Sequence, residues 1–590
     1  MSTHTTDLLS GNDAFARGAW EAGATVAAGY PGTPSTEILE ALSAYKQEGL
    51  HCEWSPNEKV ALEVGAGAAL AGARVLVTMK HVGLNVAADP YMTLAYTGVV
   101  GGLVMLVADD PGMHSSQNEQ DTRHYARMGK VPCLEPADAQ EAKDMMKLGF
   151  EISETFKTPV IVRSSTRVSH SRGLVRLEAR VLSEREVAFE KDPMQFVPVP
   201  AFARRMRVQL EERLGELKVY GETQPINSIE YNDLSLGIIT SSASYLYVKE
   251  VWPEASVLKL GMSYPFADGV FRAFAEKVDR VLVVEELDDF LEEHIKAMGI
   301  ACDGKNVVPN IGELTQSRLS VVRAKLEGKD APDLSPMEEA AKLPARPPTL
   351  CPGCPHRGIF AALRYFDIIV TGDIGCYALG VLPPLSRIDA LLCMGGGFTL
   401  AHGIDRSPEK KKVVGVMGDS TFFHSGITGL LDIAYNKGTS ITIVLDNRTT
   451  AMTGHQDHPG TGKTIMGDPA AEVSIEKMAE ACGIKRIFTV DPRDMDGNVQ
   501  LFKRELEIDE PTFVVAKYPC VLNDKSVWET PREIDEEKCV SCGNCADIGC
   551  PAIEYADDVP HIEGLMCTGC SLCETVCELG LIHEKGQASE

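Results

Sequence analysis

The sequence predicts a multidomain α/β chain that closes in a small cysteine-rich domain, and three observations carry that prediction. Short runs of β-branched and aliphatic residues recur, each followed by a turn and a helical pattern, which is the rhythm of parallel α/β domains. One stretch rich in proline and charge, GKDAPDLSPMEEAAKLPARPPT from Gly328 to Thr349, interrupts that rhythm and reads as a linker. After Trp528 the rhythm stops, and regularly spaced cysteines replace it.

The elements follow in order. At 590 residues the chain exceeds the roughly 250–300 residues at which single cores stop growing, so several domains are expected. Strands are expected at Arg74–Thr78, Leu103–Val107 and Val160–Val162 in a first α/β block, residues 1–185. A charged stretch without clear strand pattern, Leu182–Asp233, leads into a second α/β block, 186–330, with strands at Leu236–Ile239 and Val281–Val284. The third block, 345–528, carries Val413–Val416, Ile441–Leu445 and Thr512–Ala516, and residues 529–590 form the tail.

Composition excludes several classes. The longest apolar run, Gly98–Ala108, falls short of the roughly 20 residues of a membrane-spanning helix, and the N-terminus lacks the basic start and apolar stretch of a signal peptide. A cytoplasmic protein without a membrane partner is expected. A formal net charge of -27 opposes binding to nucleic acid. In such a compartment the 17 cysteines are better read as metal ligands or redox groups than as disulfides.

Spacing supports that reading in the tail. Cys539, Cys542 and Cys545 form C-x2-C-x2-C, followed by Cys550-Pro551; Cys567, Cys570, Cys573 and Cys577 form C-x2-C-x2-C-x3-C. This is the spacing of bacterial two-cluster ferredoxins, in which the fourth cysteine of each run ligates the other cluster. One 4Fe-4S cluster is thus expected on Cys539, Cys542, Cys545 and Cys577, the other on Cys550, Cys567, Cys570 and Cys573. Two features depart from the pattern: four residues separate Cys545 from Cys550, and Glu578 stands where proline is usual. Zinc knuckles or adjacent disulfides are the alternatives, but zinc needs no third cysteine in each run.

An electron source is expected upstream. Gly418-Asp419 ends one predicted strand and Asn447 ends the next, which sets a carboxylate beside an amide oxygen at the ligand-binding edge of a parallel sheet. Asp419, Asn447 and the carbonyl of a residue such as Thr449 suit Mg2+ held against a diphosphate, with a helix N-terminus facing the anion. The arrangement resembles the thiamine diphosphate motif, which opens Gly-Asp-Gly; here Ser420 takes the third place. A solvated turn is the plainer alternative.

GYPGTPSTE (Gly29–Glu37) and SPNEKVALEVGAGAALAGARVLVTMKHVGLN (Ser55–Asn85) resemble the pyrimidine-binding domain of 2-oxoacid:ferredoxin oxidoreductases. Cys351 and Cys354 in CPGCPHRG, Cys376 in GDIGC and Cys520 in KYPC match the positions by which that family binds a third cluster beside the thiamine. TMKHVGLN and CPGCPHRG point to the indolepyruvate branch. The resemblance covers nearly the whole chain. It implies transketolase-like α/β domains in the order pyrimidine-binding, transketolase C-terminal-like and diphosphate-binding, followed by a two-cluster ferredoxin domain. It also implies that Glu58 activates the aminopyrimidine, with Glu63 as the alternative, and that the Thr33 hydroxyl meets the substrate carboxylate. Ser55-x-x-Glu58 with Pro56 reads equally as a helix capping box, and Thr33 as ordinary turn chemistry. His81 follows a strand and is a candidate for the same cleft. Cys52, Cys133, Cys302, Cys393 and Cys482 lack ligand spacing and read as packing residues.

The implied reaction converts arylpyruvate, coenzyme A and oxidised ferredoxin into aryl-acetyl-CoA, CO2 and reduced ferredoxin. The implied assembly is a hetero-oligomer of two such chains with a smaller beta subunit. Two rivals stay open: a non-oxidative thiamine-dependent decarboxylase, and a non-catalytic electron-transfer subunit.

Overall fold

The computed structural model describes every residue except 1–4, 47–48, 184, 333–342, 345–346, 557 and 587–590. The chain divides into two compact units, Met1–Leu343 and Pro344–Glu590. The linker expected over Gly328–Thr349 lies in large part outside the described residues.

The first unit is built on a seven-stranded sheet in the order Met262–Tyr264, Cys133–Leu134, Val160–Ser165, Leu103–Asp109, Val75–Lys80, Val26–Gly29, His51–Trp54. All neighbours run parallel except the first pair. Val75–Lys80, Leu103–Asp109 and Val160–Ser165 are buried along their full length, which is why they read as apolar runs rather than alternating strands. Helices Glu58–Leu70 and Ala139–Phe156 lie against the sheet, and Gly11–Glu21 packs on Ala139–Phe156. A four-stranded sheet follows, in the order Val281–Val284, Asp233–Ser241, Ala255–Leu260, Ser228–Glu230.

The two α/β blocks read from sequence share this unit. Met262–Tyr264, from the second block, pairs with Cys133–Leu134 of the first, and Arg123, 1% exposed, donates to Glu285 Oε2 at 2.6 Å. Within the stretch that showed no strand pattern, Pro200–Thr223 is a helix of 24 residues. It buries Met206, Leu210, Leu214 and Leu217, a helical spacing diluted by the charges between them.

The second unit holds a five-stranded, fully parallel sheet in the order Ile369–Thr371, Val413–Gly418, Ile441–Asp446, Thr512–Lys517, Arg486–Val490. The tail adds two antiparallel ribbons, Arg532–Ile534 with Ile582–Glu584 and Ile553–Ala556 with Val559–Ile562. Cys52 and Cys133 are buried, and Cys302 and Cys482 are half-buried. Cys393 is exposed, so the packing reading fails there: it sits in the loop before Gly395–Gly397, outside the strands.

Candidate active site

In the second unit Val413–Gly418 and Ile441–Asp446 lie side by side with Gly418 opposite Leu445, so Asp419 and Asn447 emerge at adjoining carboxyl ends. That edge is where parallel α/β sheets receive ligands. Asp419 is buried. Its Oδ1 accepts the Ser420 N–H at 2.8 Å, and its Oδ2 accepts the Arg448 N–H at 2.8 Å and faces His458 Nε2 at 3.0 Å. His458 Nδ1 accepts the Gly460 N–H at 3.1 Å, so Nε2 carries the proton given to Asp419. Burial drives the Asp419 carboxyl upward, but His458 and the Ser420 N–H outweigh it and hold the group below the usual carboxylate range. Asp446 moves the other way: burial, then the charge of Asp419, push it up to about 6. Two buried carboxylates repelling each other at one sheet edge suit a divalent cation.

The remaining oxygens fit the same ion. Asn447 Oδ1 accepts the Thr449 N–H at 3.3 Å, and Asn447 Nδ2 stands 3.5 Å from His356 Nε2. Burial lowers His356 to about 4, which leaves a neutral imidazole whose Nε2 accepts from that amide. Thr449 is buried, and its Oγ1 has no partner among the described residues; a hydroxyl left in that state costs free energy that a bound ligand relieves. Carboxylate, amide and carbonyl oxygens from Asp419, Asn447 and Thr449, completed by phosphate oxygens and water, are the donors Mg2+ takes. Gly418 is required for space, because a Cβ there would stand 2.6 Å from Tyr377 Cε1. The Tyr377 hydroxyl donates to Ile374 O at 2.6 Å and lies 2.9 Å from Thr421 Oγ1, which pins the ring. Ser420, where the motif usually has glycine, accepts from Thr450 Oγ1 at 3.0 Å and ties the two strand ends together.

The cysteines gather as their spacing predicts. Cys351, Cys354, Cys376 and Cys520 are neighbours: burial, then the surrounding thiols, push Cys376 up to about 11, and burial carries Cys354 to about 12. Cys550, Cys567, Cys570 and Cys573 line a single cavity. Cys539, Cys542 and Cys545 lie together, and Cys577, whose Sγ accepts the Leu581 N–H at 3.4 Å, packs against the same core as Cys545. No disulfide joins any of them. Tetrahedral zinc at about 2.3 Å per sulfur draws thiolates to about 3.8 Å of one another. Among the described residues no three of these sulfurs lie within 4.8 Å of each other.

In the first unit, Glu58 opens helix Glu58–Leu70 and is 6% exposed. The cap is Asn57, whose side chain accepts the Val60 N–H at 2.9 Å; Ser55 instead donates to Glu53 Oε1 at 2.9 Å. The expected Ser55 capping box therefore does not form, because the helix starts two residues later than Pro56 suggested. Glu58 lies against the short helix His81–Val86, where a Cβ on Gly83 would stand 2.5 Å from its Oε1. Glu63 is exposed and pairs with Lys59, which removes it as the buried carboxylate. His81 is buried, with Nδ1 3.4 Å from Ala108 O and Nε2 unpartnered among the described residues; burial lowers its pKa. Thr33 is half-buried, and its carbonyl accepts from Ser115 Oγ at 3.3 Å. Beside it, the buried Lys80 donates to Ser115 O at 2.7 Å, and burial lowers it to about 8.

Sequence reading missed His458, His356, Tyr377 and Asp373. Asp373, fully buried, accepts N–H groups of Ile374, Gly395 and Gly397 at 2.7–2.8 Å and so fixes the loop beside the Asp419 edge. Each lies in a stretch whose Gly, Pro or Cys carries the readable signal; only the abrupt HPGTG turn around His458 hints at a ligand-facing loop.

Residues 373–516 match the family described as thiamine pyrophosphate enzyme, C-terminal TPP binding domain, and residues 17–216 match pyruvate flavodoxin/ferredoxin oxidoreductase, thiamine diP-bdg. The indolepyruvate oxidoreductase subunit IorA of Methanothermobacter thermautotrophicus is 43% identical over 606 residues, covering 98% of this chain and 97% of that one. The subunit of the same name from Pyrococcus horikoshii is 41% identical over 627 residues, covering 98% and 96%. Identity at this level along both full lengths, with thiamine-binding matches at both sheet edges, means that the chain belongs to the indolepyruvate oxidoreductase IorA family.

Proposed function

We propose that this oxidoreductase subunit decarboxylates arylpyruvates such as indolepyruvate and phenylpyruvate oxidatively to aryl-acetyl-CoA and passes the electrons to ferredoxin. One observation carries the reading: Asp419, Asn447 and Thr449 converge at adjoining strand ends with a buried hydroxyl left unpaired. Asp419, Asn447 and the Thr449 carbonyl would hold Mg2+, Gly418 and Ser420 would leave room for a diphosphate, and His458 keeps Asp419 ionised and oriented. Thiamine diphosphate, when bound, supplies the carbon nucleophile and electron sink that let CO2 leave a 2-oxoacid. In the first unit Glu58 would hold and release a proton at its carboxylate, the Thr33 hydroxyl would orient the substrate carboxylate, and His81 would present its buried ring. The three cysteine sets would hold 4Fe-4S clusters, which would supply a path for electrons at the potentials of ferredoxin acceptors, about -400 mV.

The names of the relatives support the aryl substrate, and the word subunit in those names supports a partner chain; we read the assembly as a hetero-oligomer with a smaller beta subunit and two copies of this chain. Among the described residues no helix is long and apolar enough to cross a membrane. The test is an anaerobic assay of the purified complex with indolepyruvate, phenylpyruvate, pyruvate and 2-oxoglutarate, with and without CoA and ferredoxin. CoA-dependent ferredoxin reduction fastest with the aryl substrates is expected. Free aldehyde without ferredoxin reduction would instead identify a non-oxidative decarboxylase.

A further inference from the structure

Arg357 is 3% exposed, yet every acceptor it meets is a backbone carbonyl. Its NH1 group donates to Ile548 O at 3.1 Å and to Gly549 O, and its NH2 group to Leu350 O at 2.5 Å and Cys351 O at 3.1 Å, while Nε has no partner. No carboxylate pairs with it among the described residues. A guanidinium is always charged, and a buried charge without a counter-charge costs several kcal/mol. Something anionic must therefore complete this site.

The surroundings identify the anion. Arg357 lines the cavity that also bears Cys550, Cys567, Cys570 and Cys573, and Cys354 lies on the same wall. The two cysteine loops touch: Gly353, between Cys351 and Cys354, has φ +71°, and a Cβ there would stand 2.0 Å from Thr568 Oγ1 in the Cys567–Cys570 loop. One cation thus faces both sets at once.

We propose that Arg357 is a shared counter-cation for two iron–sulfur clusters, the one on Cys351, Cys354, Cys376 and Cys520 and the one on Cys550, Cys567, Cys570 and Cys573. The inference rests on the cluster reading given above. Cluster potential depends on local charge and hydrogen bonding, and a thiolate-ligated cluster is more negative when reduced. A fixed cation therefore raises both potentials together, which keeps the step between the two clusters nearly level as it eases their reduction. The Cys539, Cys542, Cys545 and Cys577 set does not line the cavity that Arg357 faces and is expected to keep its own value.

The test is an EPR-monitored redox titration, with iron analysis, of the anaerobically purified complex carrying Arg357→Gln or Arg357→Lys. Arg357→Gln is expected to make reduction of both named clusters about tenfold less favourable, a downward shift of about 59 mV for one electron. The Cys539 set serves as an internal control and should not move; Arg357→Lys, which keeps the charge, should stay near wild type. Loss of the two clusters in Arg357→Gln with retention in Arg357→Lys would support the same role. The proposal is overturned if Arg357→Gln keeps full iron and unshifted potentials, if only one cluster moves, or if Arg357→Lys is as impaired as Arg357→Gln. Wild-type complex without iron–sulfur signals would refute the cluster reading itself.

Discussion

Glu58 is held by what lies over it, and Gly83→Ala tests that. The three atoms nearest to an added Cβ are Glu58 Oε1, Cγ and Cδ, at 2.5, 2.7 and 2.9 Å. All belong to one side chain, so the backbone has no need to move; the carboxylate has to retreat by about 0.9 Å to reach ordinary contact. A misplacement of about 1 Å costs a proton-transfer group about 100-fold in rate, or about 2.7 kcal/mol of barrier. Folding should not suffer, because Gly83 lies in a helix with negative φ, where alanine is favoured over glycine by about 1 kcal/mol. The assay is CoA-dependent ferredoxin reduction with indolepyruvate, alongside thermal unfolding and determination of bound thiamine and iron. A variant with unchanged melting temperature and cofactor content but about 100-fold lower kcat is expected. Wild-type turnover in fully loaded Gly83→Ala would remove Glu58 from the proton transfer.

Three further outcomes follow from the same geometry. His458→Ala removes the imidazole that orients Asp419, and should raise the half-saturation concentrations of Mg2+ and thiamine diphosphate about 10- to 100-fold while leaving the iron content intact. Cys550→Ser should remove about four irons per chain and one EPR signal, that of the Cys567 set rather than that of its sequence neighbours Cys539–Cys545. Lys80, lowered to about 8 by burial, binds fewer protons folded than unfolded between about pH 8 and 10.5, so it contributes stability that grows as pH rises through that window. The stability advantage of Lys80→Met over wild type should accordingly be largest below pH 8 and shrink by up to about 3 kcal/mol towards pH 10.5; a pH-independent difference in unfolding free energy would contradict the buried-ammonium account.

Spacing made the grouping of the candidate residues in the second unit legible. Asp419 and Asn447 reach one sheet edge because two parallel strands in register carry them there, and the crossover pairing of Cys550 with Cys567, Cys570 and Cys573 appears as a shared cavity. Strand ends were harder to read: Val75–Lys80 and Leu103–Asp109 run past the apolar residues that announced them, through Lys80 and Asp109. Those polar residues lie at the carboxyl edge of the parallel sheet, the edge at which such sheets commonly receive ligands and hydrophobic pattern fades. The helix Pro200–Thr223 was masked because a few buried leucines and one methionine sit among many charges. His458 and His356 were invisible because their roles depend on contacts 39 and 91 residues away along the chain.

On the proposed function Asp419 anchors the magnesium-bound diphosphate of the cofactor, and titration of thiamine diphosphate with Mg2+ into cofactor-depleted complex decides whether it does. Wild-type protein should bind saturably and only with the cation, and Asp419→Asn should lose that binding while keeping its iron–sulfur signals. Equal affinity in the two proteins, or binding indifferent to Mg2+, would contradict the account.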